Sequence, residues 1–579
     1  MTIKISRVAW CSAVLALFSL ALNPLVVGSR EAKLPQPSLA ISPNSYSRPP
    51  NIILMLVDDM GWFNAPWNGN NEIRERMPHI TQLSNEGVIL DRHYSYKYCS
   101  PARSSVLSGR LPLHVTQNNK NNIVTNPGGA DLRMTLLPEK LKMTPANYTT
   151  SCIGKWHVGA RSIANLPTSR GFDHHFGFLK GGQDHFSQVN SDDNGTLFVD
   201  LWANTGPAYG RNGTYSTYLY AAEAERVIQQ HAAAGIDPSG DNKQPLFMYL
   251  AWQVMHGPLE APPEYITPVP NDDPNGARAT MNAMGAILDE GVANVTKALK
   301  TAGLYENTLL IVSSDNGGWL QQDRGGNNYP LRGGKVTDFE GGVRTAAFVA
   351  GGYLETNAPH LVGTRSNLLI HLVDWYATLV GLAGGVRDSP REEEISGEIP
   401  GIDSLDFWGA LIDPSYSVTS VRTEIPLSFC NAEAECGWPG GIGNSALISW
   451  PWKIINGTQA GLGLWQGPQF PNATKSIPMP GPDIGCPHGC LFNIRDDPNE
   501  HNDMKESFPD LFSKLWSRLL EVGKGVYQTN YDGGAKSCLP VDVAYKRDKG
   551  FLAPRCTIDG NSPEDDFRAG ASNAVVSSE

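Results

Sequence analysis

From residue 51 to residue 57 the chain is apolar at every position after Asn51, closed by Pro49-Pro50 on one side and Asp58-Asp59 on the other. A run of that length between turn signals reads as a strand with both faces buried, the kind that fills the middle of a parallel sheet. Residues 246–251 and 309–312 repeat the pattern, and residues 148–153 read as a further strand ahead of Lys155 and His157. After Met281 the period changes. Met281, Met284, Leu288, Val292, Val295 and Leu299 recur three or four apart, which predicts an amphipathic helix feeding the strand at Leu309. Residues 511–522 form a second amphipathic segment. All four predicted strands release polar side chains just past their C-terminal ends: Asp58 and Asp59, Lys155 and His157, His256, and Asp315 with Asn316. Open α/β sheets gather ligands at that edge, so the pattern predicts an α/β fold with one polar site.

At 579 residues the chain is too long for one ordinary core, and at least two domains are expected. Lys4 and Arg7 ahead of an apolar stretch, closed by Gly28 and Ser29, read as a signal peptide over 1–28, the competing reading being an uncleaved membrane anchor. A Pro- and Ser-rich linker follows over 29–48, then a larger domain over 49–424, a smaller one over 425–560 that holds the clustered cysteines, and a polar tail over 561–579 expected to be disordered. No later stretch is apolar for long enough to span a bilayer, so stable membrane insertion is not expected. Apolar residues make up 41% and charged residues 18% of the chain, as in a folded soluble protein. The net charge of -12 argues against nucleic acid as a partner. It also exerts no overall pull on an anionic ligand, which must then be held by a few local cations.

N-x-Thr sequons at Asn147, Asn194, Asn212, Asn294, Asn456 and Asn472 fit passage through the secretory pathway. Cys430, Cys436, Cys486, Cys490, Cys538 and Cys556 crowd into the last quarter, and in an oxidising compartment they suggest disulfides whose pairing the sequence leaves open. The close pairs Cys430/Cys436 and Cys486/Cys490 also raise zinc, but without a repeated C-x-x-C knuckle. That leaves Cys99 and Cys152 unpaired, or paired with each other; Cys152, in a predicted strand, reads as a buried thiol.

Pro101 stands where a first-turn proline is favoured and no helix breaker intervenes before Leu107, so Cys99 is expected at a helix N-terminus, an end that favours anions. Asp58, Asp59, Asp315 and Asn316 offer only oxygen donors, which suits a hard cation and points to calcium ahead of magnesium. Three carboxylates within about 4 Å would repel by roughly 4 kcal/mol per pair at an effective dielectric near 20, and a dication relieves that cost. Taken separately, Asp58-Asp59 read as a helix cap and Asp315-Asn316-Gly317-Gly318 as a turn. Lys155 and His157 share a face if their segment is extended, with Trp156 turned away.

The run Cys99-Ser100-Pro101-Ala102-Arg103, followed by Leu107-Ser108-Gly109-Arg110, resembles the signature of the type I sulfatases. Asp58-Asp59-Met60-Gly61-Trp62, Gly154-Lys155-Trp156-His157, His256-Gly257-Pro258-Leu259, Asp315-Asn316-Gly317-Gly318 and the segment from Asn327 to Lys335 are similar to that family's landmarks and stand in family order. The last two, with the segment from Cys490 to Glu500, are similar to the arylsulfatase B branch. The resemblance implies an alkaline-phosphatase-like large mixed sheet flanked by helices, with a smaller C-terminal α+β domain. It implies that a formylglycine-generating enzyme oxidises Cys99 to formylglycine during secretion. The hydrated aldehyde carries two hydroxyls: one oxygen attacks sulfur and expels the alcohol, the other loses its proton, and the carbon-oxygen bond breaks to release sulfate and restore the aldehyde.

By the same resemblance, calcium is held by Asp58, Asp59, the Cys99-derived residue, Asp315 and Asn316. Lys155, Lys335 and His256 contact sulfate, Arg103 holds the side chain of residue 99, His157 is the base for sulfate elimination, and His256 or Lys335 protonates the leaving oxygen. Asn327, Asn328 and Arg332, from their place in the chain beside Lys335, are expected to orient it or line the cleft and not to be catalytic. The implied substrate is a sulfated carbohydrate or aryl sulfate, the implied activity resembles that of an N-acetylgalactosamine-4-sulfatase, and the implied place is extracellular or lysosomal. Ala102 departs from the serine of many members, which bears on recognition by the maturation enzyme, and Gly257 and Gly334 depart from the larger polar residues common in the arylsulfatase B branch, which bears on substrate choice more than on chemistry. Two other functions stand beside this one: a phosphatase or phosphodiesterase of the same fold, which would use Ser or Thr and two zinc ions, and a catalytically idle protein that binds sulfated glycans.

Overall fold

A computed structural model describes residues 48–117, 129–191, 195–234, 244–269, 273, 276–321, 324–388, 398–413, 421–430, 444–459, 462–471, 485–527 and 537–557. The signal segment, nearly all of the linker, Asn194, Cys436, Asn472 and the tail lie outside the described residues. The body is built on a ten-stranded mixed sheet: β1 Asn51–Val57, β2 Val88–Leu90, β3 Thr149–Lys155, β4 His174–Phe178, β5 Trp202–Ala203, β6 Gly206–Pro207, β7 Leu246–Trp252, β8 Thr308–Ser314, β9 Ala347–Ala350 and β10 Thr364–Ser366, in the order β10-β2-β9-β8-β1-β7-β3-β4-β5-β6. The block β8-β1-β7-β3-β4 is parallel.

The continuous apolar runs result from layers on both faces. Ile52, Leu54 and Leu56 of β1 enter a core shared with Ala102, Val106 and Leu107 of helix α1 (Cys99–Ser108). Ile53, Met55 and Val57 enter the opposite core, with helix α2 (Ser216–Ala233) and helix α3 (Ala277–Thr301). A two-residue period sends neighbours to opposite faces, so a strand sandwiched between two cores has no position to spare for a polar side chain. Each of these six side chains is at most 1% exposed, and burial of each is worth about 1.5–3 kcal/mol.

Register fixes the site. Val57 is level with Trp252 on β7 and Ser314 on β8, and Ala251 is level with Gly154 on β3. Four parallel strands therefore end together, and the residues just beyond their ends share one edge. Gly154 is required there: its φ is +92°, and a Cβ would lie 2.0 Å from the Ala251 carbonyl oxygen.

A four-stranded antiparallel sheet comes next in the chain, β11 Glu424–Phe429, β12 Ser445–Ser449, β13 Trp452–Gly457 and β14 Cys486–Asn493. One face packs Ile425, Leu427, Ile448 and Phe492 against Tyr94, Phe339 and Val343 of the main body. Its other face packs Leu447, Ile454 and Leu491 against Leu515 and Leu519 of helix α4 (Pro509–Gly523). The junction also buries charge. Lys453 Nζ lies 3.0 Å from both Glu340 and Glu500, while Glu500 accepts from the Glu340 amide at 2.7 Å and Tyr94 donates to Glu340 at 2.9 Å. Lys97 with Asp338 and Arg422 with Asp374 are further buried pairs.

The structure lengthens several expected elements. α3 begins at Ala277, four residues before Met281, because Ala277 and Ala279 pack without signalling an apolar period, and β8 runs on through Ser313 and Ser314, which are buried although polar. His174 and His175 open β4. Cys486 bonds Cys490 and Cys538 bonds Cys556, which removes zinc from the first pair; Cys99 and Cys152 are both free and buried, so they are not joined to each other.

Candidate active site

The polar edge of the parallel block collects the sequence-selected residues. Asp58 and Asp59 follow β1, Lys155 ends β3, His256 follows β7, and Asp315 and Asn316 follow β8. Cys99 opens α1 beneath them, after Tyr98 in extended backbone, and Gly109 closes that helix in the left-handed conformation. The Cys99 sulfur lies 3.5 Å from Asp58 Oδ1 and 4.0 Å from Asp59 Oδ1.

Each carboxylate has a cation. Lys155 Nζ is 2.6 Å from Asp58, Lys335 Nζ is 2.6 Å from Asp59, and Arg103 meets Asp315 Oδ2 through Nε at 3.0 Å and Nη2 at 2.8 Å. Arg103 also stands 3.6 Å from Asp58 and donates to the Tyr249 hydroxyl. Its closest partner is thus Asp315, whereas the family resemblance gave it to residue 99. Tyr249 carried no signal in the sequence beyond its place in an apolar strand.

Lys155 and His157 are both buried here, but not as neighbours on one extended face. The strand ends at Lys155, and His157 has φ +53°. Trp156 turns into the core and donates to the Gly159 carbonyl. Both ring nitrogens of His157 are buried without a hydrogen-bond partner. Burial, with Lys155, Arg103 and Lys335 nearby, holds its pKa well below the usual histidine range. His256 lies at the open side, its side chain 19% exposed, with Nε2 3.8 Å from Asp59 and Nδ1 2.6 Å from the Gly257 carbonyl. Burial and Lys335 lower its pKa to about 3.

The remaining shifts come from the same charges. Burial raises the Asp59 carboxyl, but Lys335, His256 and Lys155 outweigh it and bring the pKa to about 2. Burial and the Asp58 charge push Asp315 up. Burial lowers Lys335, yet the Asp59 charge more than reverses this and keeps the ammonium protonated. Burial raises the Cys99 thiol well above its ordinary range.

The residues fit a hard cation. Ligand atoms of Asp58, Asp59, Cys99 and His256 all lie within 4.8 Å of one another, and the buried Asn316 Oδ1 has no hydrogen-bond partner although its Nδ2 donates to Asp59 at 2.7 Å. A thiol and an imidazole in the closest group suit a softer metal. The oxygens of Asp58, Asp59, Asp315 and Asn316 suit calcium, and an orphaned amide oxygen beside an acidic pair is the feature that a hard ion satisfies.

Asn328 braces the loop that carries Lys335: its side chain accepts from the amides of Trp62 and Gly318 and donates to the Gly318 and Gly333 carbonyls. Asn327 donates to the Gly467 and Phe470 carbonyls, and Arg332 lies over Phe339 and Trp465, away from the carboxylates. A cleft opens beside Asp59 and His256, walled by Met255, Met281, Trp319 and Arg324. Sequence reasoning places none of these four in the site: Met281 enters only as an apolar helix position, and Trp319 is passed over although it directly follows Gly317-Gly318.

The model of the sulfatase family matches residues 50–386, more than half of the chain, a span that holds the three carboxylates, their cations, Cys99, His157, His256 and the cleft wall. The chain belongs to the sulfatase family. Arylsulfatase J of Mus musculus is 34% identical to this sulfatase over 495 residues, covering 83% of this chain and 77% of that one. N-acetylgalactosamine-6-sulfatase of Mus musculus is 31% identical over 367 residues, covering 59% of this chain and 64% of its own length. Among solved structures, Ps i-CgsB in complex with k-i-k-neocarrahexaose superposes with a TM-score of 0.65 at 25% identity, over 83% of this chain and 94% of that one. The large mixed sheet, its flanking helices and the separate antiparallel sheet are the alkaline-phosphatase-like fold that the sequence resemblance implied, and the family's reaction class is sulfuric ester hydrolysis.

Proposed function

We propose that this sulfatase hydrolyses sulfate esters on a carbohydrate, with formylglycine made from Cys99 as nucleophile and one calcium ion held by Asp58, Asp59, Asp315 and Asn316. The observation that carries this reading is the position of Cys99. It lies at the N-terminus of a buried helix, within 3.5 Å of an acidic oxygen, among three carboxylates and the three cations paired with them. Those six charges cancel, so a dication leaves the site with an excess of two positive charges for a sulfate group to meet. When bound, calcium supplies a Lewis acid for a sulfate oxygen, and formylglycine supplies a nucleophile that releases sulfate again.

The chain's own residues do the rest. Lys155 and Lys335 are ammonium groups that hold carboxylates in the resting site and face sulfate in the occupied one. His157, with two unpartnered ring nitrogens, takes the proton whose loss frees sulfate. Lys335 and His256 are the two groups that face the leaving oxygen. Lys335 carries a proton throughout the working range, whereas His256 already donates Nδ1–H to Gly257 and gives a proton from Nε2 only as an imidazolium. A kcat that falls with rising pH on an imidazolium pKa assigns the role to His256, and a flat profile assigns it to Lys335.

A carbohydrate substrate is supported by relatives named for N-acetylgalactosamine 6-sulfate and by a neighbour solved with a neocarrahexaose. The signal-like N-terminus, the sequons and the disulfides among the described residues support the secretory pathway, with delivery outside the cell or to lysosomes, and contact with a formylglycine-generating enzyme on the way. No described helix is long and apolar enough to cross a membrane. The deciding experiment is expression in a secretory host, mass spectrometry of the peptide spanning residue 99, and assay with 4-nitrophenyl sulfate and sulfated saccharides. Expected are the formylglycine mass and turnover. Turnover by a protein whose residue 99 is wholly thiol refutes the nucleophile, and a fully converted protein without turnover leaves the idle glycan-binding reading.

A further inference from the structure

The cleft beside His256 has a wall built around a missing side chain. An ideal Cβ on Gly257 would lie 2.2 Å from Arg324 Nη1, so the guanidinium occupies the space that a larger residue at 257 would take, one position from His256. Trp319 joins this cation to the buried one. Lys335 Nζ lies 4.9 Å and Arg324 Cζ 5.9 Å from the centroid of the same indole ring, which sets the two cations at most about 11 Å apart. A sugar ring with its substituents bridges that span. The chain as a whole repels polyanions, so a second local cation at the mouth changes which substrates enter.

We propose that Arg324 and Trp319 form a subsite for a second anionic group on the substrate, a carboxylate or another sulfate, carried by the sugar that bears the scissile ester or by its neighbour. This deepens the sulfatase reading above and rests on it. The guanidinium is a planar fork that takes a carboxylate or sulfate through two parallel hydrogen bonds, and Trp319 gives the ring between the two anions an apolar plate. Gly257 belongs to the subsite by leaving the fork its room.

The test compares wild type, Arg324→Met and Arg324→Lys on substrates that differ in their second anion. N-acetylgalactosamine 4-sulfate is set against the 4,6-disulfate, a kappa- against an iota-carrageenan oligosaccharide, and the chondroitin 4-sulfate disaccharide supplies a carboxylate, all relative to 4-nitrophenyl sulfate. The wild type is expected to favour a doubly anionic member, mainly through KM. Arg324→Met lowers that preference by about tenfold or more, the worth of one charged hydrogen-bonded contact, and Arg324→Lys restores part of it. The substrate that loses most identifies the anion as sulfate or carboxylate. Gly257→Ala shifts the preference in the same direction by displacing the fork. A wild type indifferent to the second anion, or a preference that survives Arg324→Met whatever happens to absolute rates, overturns the subsite. If the wild type turns over no sulfate ester, the hydrolase reading fails separately, and calorimetric titration of the same saccharides then decides: equal affinity for wild type and Arg324→Met overturns the subsite.

Discussion

Glu500→Gln tests the buried charge at the junction of the two sheets. Glu500 is fully buried and faces Lys453, Glu340 and the Glu340 amide, with Tyr94 and Arg344 on the far side of Glu340. Burial is the largest influence on it; Lys453 pulls its pKa down, Glu340 pushes it up, and the outcome is a rise from 4.5 to about 7. Folded protein therefore holds this proton to near pH 7, whereas the unfolded chain releases it near 4.5. The stability it contributes is complete below the unfolded value and disappears as pH rises through 7. Between pH 5 and pH 8 that amounts to roughly 2–3 kcal/mol. Buried His93 and His175, both lowered to about 3 chiefly by burial, act in the opposite sense, since their folded neutral forms lose stability as pH falls below 6.5. Only the difference between wild type and variant isolates Glu500. Urea unfolding monitored by tryptophan fluorescence at pH 5, 6, 7 and 8 measures it. The stability gap between wild type and Glu500→Gln should change by that amount, the variant gaining on wild type as pH rises. Parallel pH curves for the two proteins would refute the assignment.

Asp374→Ala strands Arg422 in the interior without its bidentate partner, and unfolding measurements should record a loss of about 3–5 kcal/mol; a loss below about 1 kcal/mol would show that the pair is dispensable. Calcium returned to chelated protein at a hundredfold excess over its dissociation constant should raise stability by about 3 kcal/mol. Asn316→Leu should lose most of that gain, and an undiminished gain in the variant removes Asn316 from the ligand set. Cys99→Ala should show no turnover of 4-nitrophenyl sulfate with unfolding stability within about 1 kcal/mol of wild type; wild-type turnover in that variant sinks the nucleophile.

Local pattern is what a sequence displays most openly. The strand at 51–57 is visible because both of its faces are buried, and its carboxylates are visible because an apolar run stops at them. Cys99 at a helix start is legible from Pro101. His157 breaks expectation because an extended reading has no means of foreseeing a left-handed residue two positions after a strand's last pairing. The ends of α3 and β8 escape because alanines that pack tightly and serines that are buried look, in a pattern of apolar residues, like the outside. The Glu340–Lys453–Glu500 group is invisible for another reason: three isolated charges far apart in the chain meet only once both sheets are assembled. Arg324 is hidden likewise, since nothing in a glycine at 257 says whose side chain will fill the gap.

Cys99 is 1% exposed, and every residue of its helix is buried with it. An enzyme that rewrites this thiol has to grip the peptide around it, and the finished fold has no slack to lend. On the proposed chemistry the conversion belongs to the interval between translation and closure of the core. The share of competent molecules is then decided by a race, so a host that folds this chain faster than it oxidises it would secrete a well-formed, lifelong blank.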